Sequence, residues 1–210
     1  MRAFSMMWRV LRAAWDELFT LVAVSVLWWA GMLLIVTAGP ATLGINAVTN
    51  RIANYKRSGT EFFWSEAKRF PGKAWVLFGS MLVAFVLIAF NLWFYFNAEG
   101  WWRYISVVWF WVLLFYLMAA QYLFPLLCQQ DAPEIRTALR NAAVLSLRAP
   151  LYAFLSLVFQ LVLFALCFLL LAPIILLWPG LASLSANVFL VGLLQEMGLA
   201  EQPPVVSARD

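Results

Sequence analysis

Histidine is absent from this chain, and charge is scarce. With no His among 210 residues, imidazole bases, most zinc sites and His-ligated haem are excluded together. Only 11% of the residues are charged, against roughly 25% in an ordinary soluble domain. So few charges cannot cover a solvated surface, which excludes a soluble globular protein and a disordered one alike. The two cysteines, Cys128 and Cys167, stand alone in apolar stretches with no CxxC spacing, and read as packed thiols rather than as a disulfide or metal ligands. No Gly-rich phosphate loop and no GxSxG motif occurs. Glu61 and Glu66 lie among basic neighbours and read as solvated helix charges rather than an acid–base pair. These absences leave the expectation of a non-enzyme, with no catalytic residue, no cofactor and no metal.

What is present is apolar and aromatic. Hydrophobic residues make up 65% of the chain and aromatic ones 17%, with twelve Trp, the type that favours bilayer interfaces. The lipid bilayer is thus the first expected partner. The net charge of +4 reads as basic cytoplasmic loops, and no nucleic-acid partner is expected.

Charge-free intervals measure the spans. Glu17 to Arg51 encloses 33 residues, Lys73 to Glu99 encloses 25, Arg103 to Asp131 encloses 27 and Arg148 to Glu196 encloses 47. A spanning helix needs about 20 apolar residues. The middle intervals hold one helix each, and the last holds two, divided at Pro179-Gly180. In the first, residues 18–38 fill one span and Gly39-Pro40 breaks it. The following ATLGINAVTNRIANY segment reads as a loop by hydropathy, but a crossing there places 13 of the 14 Lys and Arg on one side, leaving only Arg103 outside. The fold expected is therefore an all-α, polytopic transmembrane helical bundle of six spans, at about 18–38, 40–56, 74–97, 101–127, 149–172 and 180–196. A re-entrant segment at 40–56 is the rival. The basic N-terminal segment 1–17 precedes this single transmembrane domain, 18–197, and a short cytoplasmic tail, 198–210, follows it. Both termini are expected in the cytoplasm, and the first span is read as uncleaved. Trp93, Trp101, Trp102 and Trp178 then fall at outer span ends, and Trp8, Trp15, Trp64 and Trp75 at inner ones.

Within 40–56, Pro40 suits a first helical turn, and Ala41, Gly44, Ala47 and Ala53 permit close helix approach. Asn46, Asn50 and Asn54 recur every four residues and share one face; Thr42 and Thr49 lie to its sides. Such groups cannot face lipid. They either hydrogen-bond between helices or line a polar cavity. Arg51 is expected to snorkel to the cytoplasmic face.

Three basic amphipathic stretches precede pairs of spans: 2–17, 60–70 and 132–148. The first sets Arg2, Arg9 and Arg12 among Phe4, Met7, Trp8, Leu11 and Trp15. The other two begin with capping-box patterns, Ser58-x-x-Glu61 and Asp131-x-x-Glu134, the latter with Pro133 in the first turn. Pro71 and Pro150 follow them just before a span, as in a repeated helix-plus-hairpin unit. These stretches either anchor on anionic lipid or dock a soluble partner. The candidate docking surface comprises Phe62, Phe63, Trp64, Lys68, Arg69, Arg136 and Arg140.

The order of these features resembles the YesL-like family of bacterial integral membrane proteins. The resemblance rests on Gly39-Pro40-Ala41-Thr42, then Glu61-Phe62-Phe63-Trp64 leading into Lys68-Arg69-Phe70, then Tyr122-Leu123-Phe124-Pro125 and Ala138-Leu139-Arg140-Asn141-Ala142 ahead of Pro150, and it covers about residues 15–170. It implies a bacterial plasma-membrane location and an accessory role in carbohydrate uptake beside importers of the ATP-binding-cassette type, whose subunits become candidate partners. It supplies no catalytic residues. The alternatives are a small solute transporter, with a polar path along Asn46, Asn50 and Asn54, and a lipid-organising structural protein.

Overall fold

A computed structural model describes residues 2–130, 132–170 and 172–201. Every regular element among them is helical: α1 (Arg2–Asp16), α2 (Leu18–Leu33), α3 (Ala38–Ala53), α4 (Thr60–Arg69), α5 (Pro71–Phe96), a 3₁₀ turn (Gly100–Tyr104), α6 (Ile105–Ala120), α7 (Leu123–Cys128), α8 (Ile135–Arg148), α9 (Pro150–Leu169), α10 (Ala172–Leu176) and α11 (Trp178–Glu196). Four stretches are long and apolar enough to cross a membrane: α5, Gly100–Cys128, α9 and α11. The first three expose most of their apolar side chains, as a lipid-facing helix must, whereas α11 is mostly buried.

Prolines open three of these helices. Pro71 and Pro150 begin α5 and α9, and Pro179 sits in the first turn of α11. A proline there forfeits no hydrogen bond, because the first N–H groups of a helix have no intrahelical acceptor. Pro179-Gly180, expected as a helix break, therefore lies inside α11, and the chain turns before it. The N–H of Gly180 is satisfied across the bundle by Ser25 Oγ of α2, at 3.0 Å.

Four stretches rather than six are long and apolar enough to span, because the first charge-free interval folds into two shorter helices. Both α2 and α3 have only 16 residues, about 24 Å of helix against a hydrocarbon core of about 30 Å. A tight turn joins them, in which Ile35 adopts φ 51°, a left-handed conformation uncommon for a β-branched residue. The beginning of α3 then packs on the beginning of α5: a Cβ on Gly39 would stand 2.9 Å from the Ala74 carbonyl oxygen, and Trp75 Nε1 donates to the Val36 carbonyl. In a six-span bundle, residues 39 and 74 belong to opposite membrane faces. Here they touch. The chain runs out along α3 and returns along α4, whose Phe63 packs over Gly44 and among Val24, Ala41, Ile45 and Val48.

Short helices form where they are expected, α1 and α4 from the expected first residues and α8 from Ile135 rather than residue 132, but the expected caps do not form. The Ser58 hydroxyl does not cap α4; it donates to Glu17 Oε2 at 2.8 Å, which ties the α3–α4 connection to the α1–α2 junction. Helix α8 starts after Pro133 rather than around it, with Glu134 at its N-cap position; the Gln130 side-chain carbonyl accepts from the Glu134 N–H at 2.7 Å. Asp131, the first member of the expected capping box, lies outside the described residues, as does most of the expected tail. Helix α1 buries Ala3, Val10 and Ala14 and exposes Phe4, Trp8, Leu11 and Trp15 on its other side.

Candidate functional site

The buried contact between α3 and α11 is polar. Asn187 of α11 is completely buried, and its side chain is used on every edge. Its carbonyl oxygen accepts from Asn50 Nδ2 at 2.9 Å. Its amide donates to Asn46 Oδ1 at 3.2 Å, Thr49 Oγ1 at 3.1 Å and the Ser183 carbonyl at 2.9 Å. The Thr49 and Ser183 hydroxyls lie 2.7 Å apart. Asn54 extends the row, donating to the Asn50 carbonyl at 2.8 Å and to Asn50 Oδ1 at 3.1 Å. A buried amide needs this many partners, because each one left unmade carries the full desolvation penalty. Thr42, to the side of the row, accepts from Trp28 Nε1 of α2 at 3.1 Å.

A second polar knot joins α6 to α9. Gln121, at the end of α6, donates to the Met118 and Ala153 carbonyls, each at 3.0 Å. Its side-chain oxygen accepts from Ser156 at 3.0 Å and Gln160 at 2.9 Å, both on α9.

The asparagine row opens at its far end into a cavity of about 230 Å³ between α3, α4 and the end of α7. Asn50 and Asn54 form part of its wall, beside Arg51, Lys56, Glu66 and Arg69. The Arg51 guanidinium carbon lies over the Phe62 ring, 3.6 Å from its centre, and its Nε donates to the Arg57 carbonyl at 2.7 Å. It is held in place by this cation–π contact and by that bond. Arg69 pairs with Glu66 at 3.3 Å. Gln129 and Gln130 complete the wall, and neither terminal amide nitrogen has an acceptor among the described residues. Across the bundle, Arg9 of α1 donates to the Ala53 carbonyl at 2.5 Å and to Gln195 Oε1 at 3.3 Å, with Tyr55 beneath its guanidinium. Burial pulls the Arg9 pKa down from its ordinary value, and the neighbouring Tyr55 and Tyr152 act in the opposite direction.

The residues expected on the docking surface divide. Trp64, Lys68, Arg69, Arg136 and Arg140 are exposed, whereas Phe62 is half-buried beneath Arg51. Phe63 is only 2% exposed and belongs to the core; it fills the space left open by Gly44, which makes it unavailable to a partner. Helix α4 packs chiefly on α3, and α8 on α6 and α7.

Sequence reasoning did not find Asn187, Gln121 or the glutamine pair at 129–130. Asn187 had a readable signal, since Ser183, Ser185 and Asn187 interrupt an otherwise apolar run. No group of three His, Cys, Asp or Glu side chains suited to a metal occurs among the described residues. Comparison of the chain with protein-family models, curated proteins and solved structures finds no match.

Proposed function

We propose that this is a multi-pass protein of the bacterial plasma membrane with an accessory, non-enzymatic role in carbohydrate uptake, docking an importer of the ATP-binding-cassette type through α4 and α8. The resemblance of the sequence to YesL-like proteins motivates the importer. The observation that carries the docking surface is the pair of helices itself. Each buries its apolar edge, Phe63 and Ala67 on α4 and Ala138, Ala142 and Leu145 on α8, and each turns cations outward: Lys68 and Arg69, Arg136 and Arg140.

The topology proposed has four crossings, by α5, by α6 with α7, by α9 and by α11. The α2–α3 hairpin returns to the side on which it began. Both termini then lie in the cytoplasm, and the cytoplasmic side carries the same 13 of 14 basic residues as a six-crossing arrangement.

Affinity capture from native membranes tests the reading. A transporter subunit is expected to co-purify with the wild-type protein and to be lost when Lys68, Arg69, Arg136 and Arg140 are all changed to Glu. Recovery of no importer subunit above background, together with unchanged growth of the variant on every sugar tested, refutes it. A second reading, a small carrier with a path along Asn46, Asn50 and Asn54, draws on the way the cavity reaches Asn50. Liposomes containing the purified protein separate the two, because a carrier moves solute without a partner.

A further inference from the structure

We propose that the cavity between α3, α4 and the end of α7 is a binding site for a small phosphate-bearing ligand. Arg51, Lys56 and Arg69 line the cavity against a single carboxylate, Glu66, so its wall carries an excess of positive charge. Two further donors, Gln129 Nε2 and Gln130 Nε2, are buried without an acceptor among the described residues. The orientation of Gln130 is set independently, because its oxygen accepts from the Glu134 N–H at 2.7 Å, which leaves its nitrogen as the unused end.

The excess of cationic donors on Arg51, Lys56 and Arg69 selects a ligand rich in acceptors. A neutral polyol brings as many donors as acceptors and would leave the charges uncompensated. A phosphate brings negative charge and several acceptor oxygens to the same point, and guanidinium groups match its geometry. Arg51 is prepared for this role. The contact with Phe62 and the bond from Nε to the Arg57 carbonyl hold the guanidinium and leave its terminal nitrogens as the donors. Size narrows the ligand further: about 230 Å³ falls below the roughly 300–1,000 Å³ of sites for drug-sized molecules. A phosphate with a few carbon atoms fits this space, whereas a nucleotide does not. The cavity sits among the charged residues at the end of the bundle, so the phosphate can arrive on a soluble molecule or on a lipid headgroup.

The test uses the full-length protein in phosphatidylcholine nanodiscs, titrated calorimetrically with glycerol 3-phosphate, inorganic phosphate and glycerol. Saturable one-site binding of the two phosphates, and none of glycerol, is expected. The Lys56→Gln/Arg69→Gln double variant should weaken binding by about tenfold or more, because charge-assisted hydrogen bonds are the strong ones. Glu66→Gln should tighten it by about threefold, because it releases Arg69 from a competing carboxylate; a merely structural role for Glu66 predicts no gain. Thermal unfolding of each variant confirms that it is folded. A parallel titration in discs containing phosphatidic acid identifies the source: loss of glycerol 3-phosphate binding there assigns the site to a headgroup, and retention assigns it to a soluble phosphate. The proposal is overturned if the phosphates give no more heat than glycerol and phosphatidic acid discs show no specific lipid retention. It is equally overturned if binding is unchanged in the double variant and in Glu66→Gln.

Discussion

Replacing Asn187 with Leu removes the centre of the polar core while keeping nearly the same volume, so its effect reports hydrogen bonding rather than a cavity. The substitution deletes one bond accepted from Asn50 and three contacts donated to Asn46, Thr49 and Ser183. Two of the partners retain other bonds: Thr49 still meets the Ser183 hydroxyl and the Ile45 carbonyl, and the Ser183 carbonyl keeps its place in the helix ladder. Two do not. Asn50 Nδ2 and Asn46 Oδ1 are left buried without a partner, at about 1–3 kcal/mol each in a protein interior. Interhelical hydrogen bonds in a membrane bundle average only about 0.6 kcal/mol, which sets the lower bound for the three contacts to α3 near 2 kcal/mol. A loss of about 2–5 kcal/mol is therefore expected. Reversible unfolding in mixed micelles of increasing SDS, followed by circular dichroism, measures it. A change below about 0.5 kcal/mol, the ordinary effect of a surface substitution, would mean that the α3–α11 contact is held by packing alone and not by hydrogen bonds to Asn187.

Other consequences follow from the same geometry. A double-mutant cycle with Thr49→Val and Ser183→Ala should give a coupling of about 0.5–1.7 kcal/mol by the same unfolding measurement, since their hydroxyls are 2.7 Å apart; additivity would deny the bond. Gly39→Ala should destabilise by about 1–3 kcal/mol, because the new methyl meets backbone of Ala74 and Trp75 that has no rotamer to yield, while Gly79→Ala, with nothing within 4 Å, should be tolerated. In a Cys128→Ala/Cys167→Ala background, single cysteines at Val36 and Lys73 should react with a membrane-impermeant maleimide from the same side. Labelling from opposite sides would restore a crossing between them.

How much of this was legible beforehand depended on which physical signal was being read. Bilayer thickness acts on every spanning helix in the same way, so the charge-free intervals located α5, Gly100–Cys128, α9 and α11. Amphipathic periodicity located α1, α4 and α8 within a few residues. The positive-inside rule reports only the parity of crossings, so it did not separate two crossings at 18–38 and 40–56 from the re-entrant rival. A segment that goes in and comes back distributes Arg51, Lys56, Arg57, Lys68, Arg69 and Lys73 as a pair of complete crossings does. The contact that distinguishes the two, Gly39 on Ala74, joins residues far apart in the chain and leaves no local pattern beyond a glycine. The Asn46, Asn50 and Asn54 row was visible as a face, but its partner was not. Asn187 is a single polar residue on another helix, and no periodicity links it to α3. Phe63 was misplaced for a related reason: on a short helix with aromatic residues at three consecutive positions, the buried one is chosen by where Gly44 leaves room.

The burial of α11 also bears on how the protein is made. It is the least apolar of the four long helices and follows all the others in synthesis, yet it supplies the partner for the asparagine row on α3. Until it arrives, Asn46, Thr49 and Asn50 lack their mates, and α11 alone carries Asn187 and Ser183 as groups that lipid cannot satisfy. Neither half is comfortable without the other, so the C-terminal helix acts as a completion signal. A chain stalled or truncated before residue 187 retains its most hydrophobic helices and displays a polar stripe in the membrane. That is the kind of mark by which a membrane protease or chaperone separates unfinished chains from finished ones.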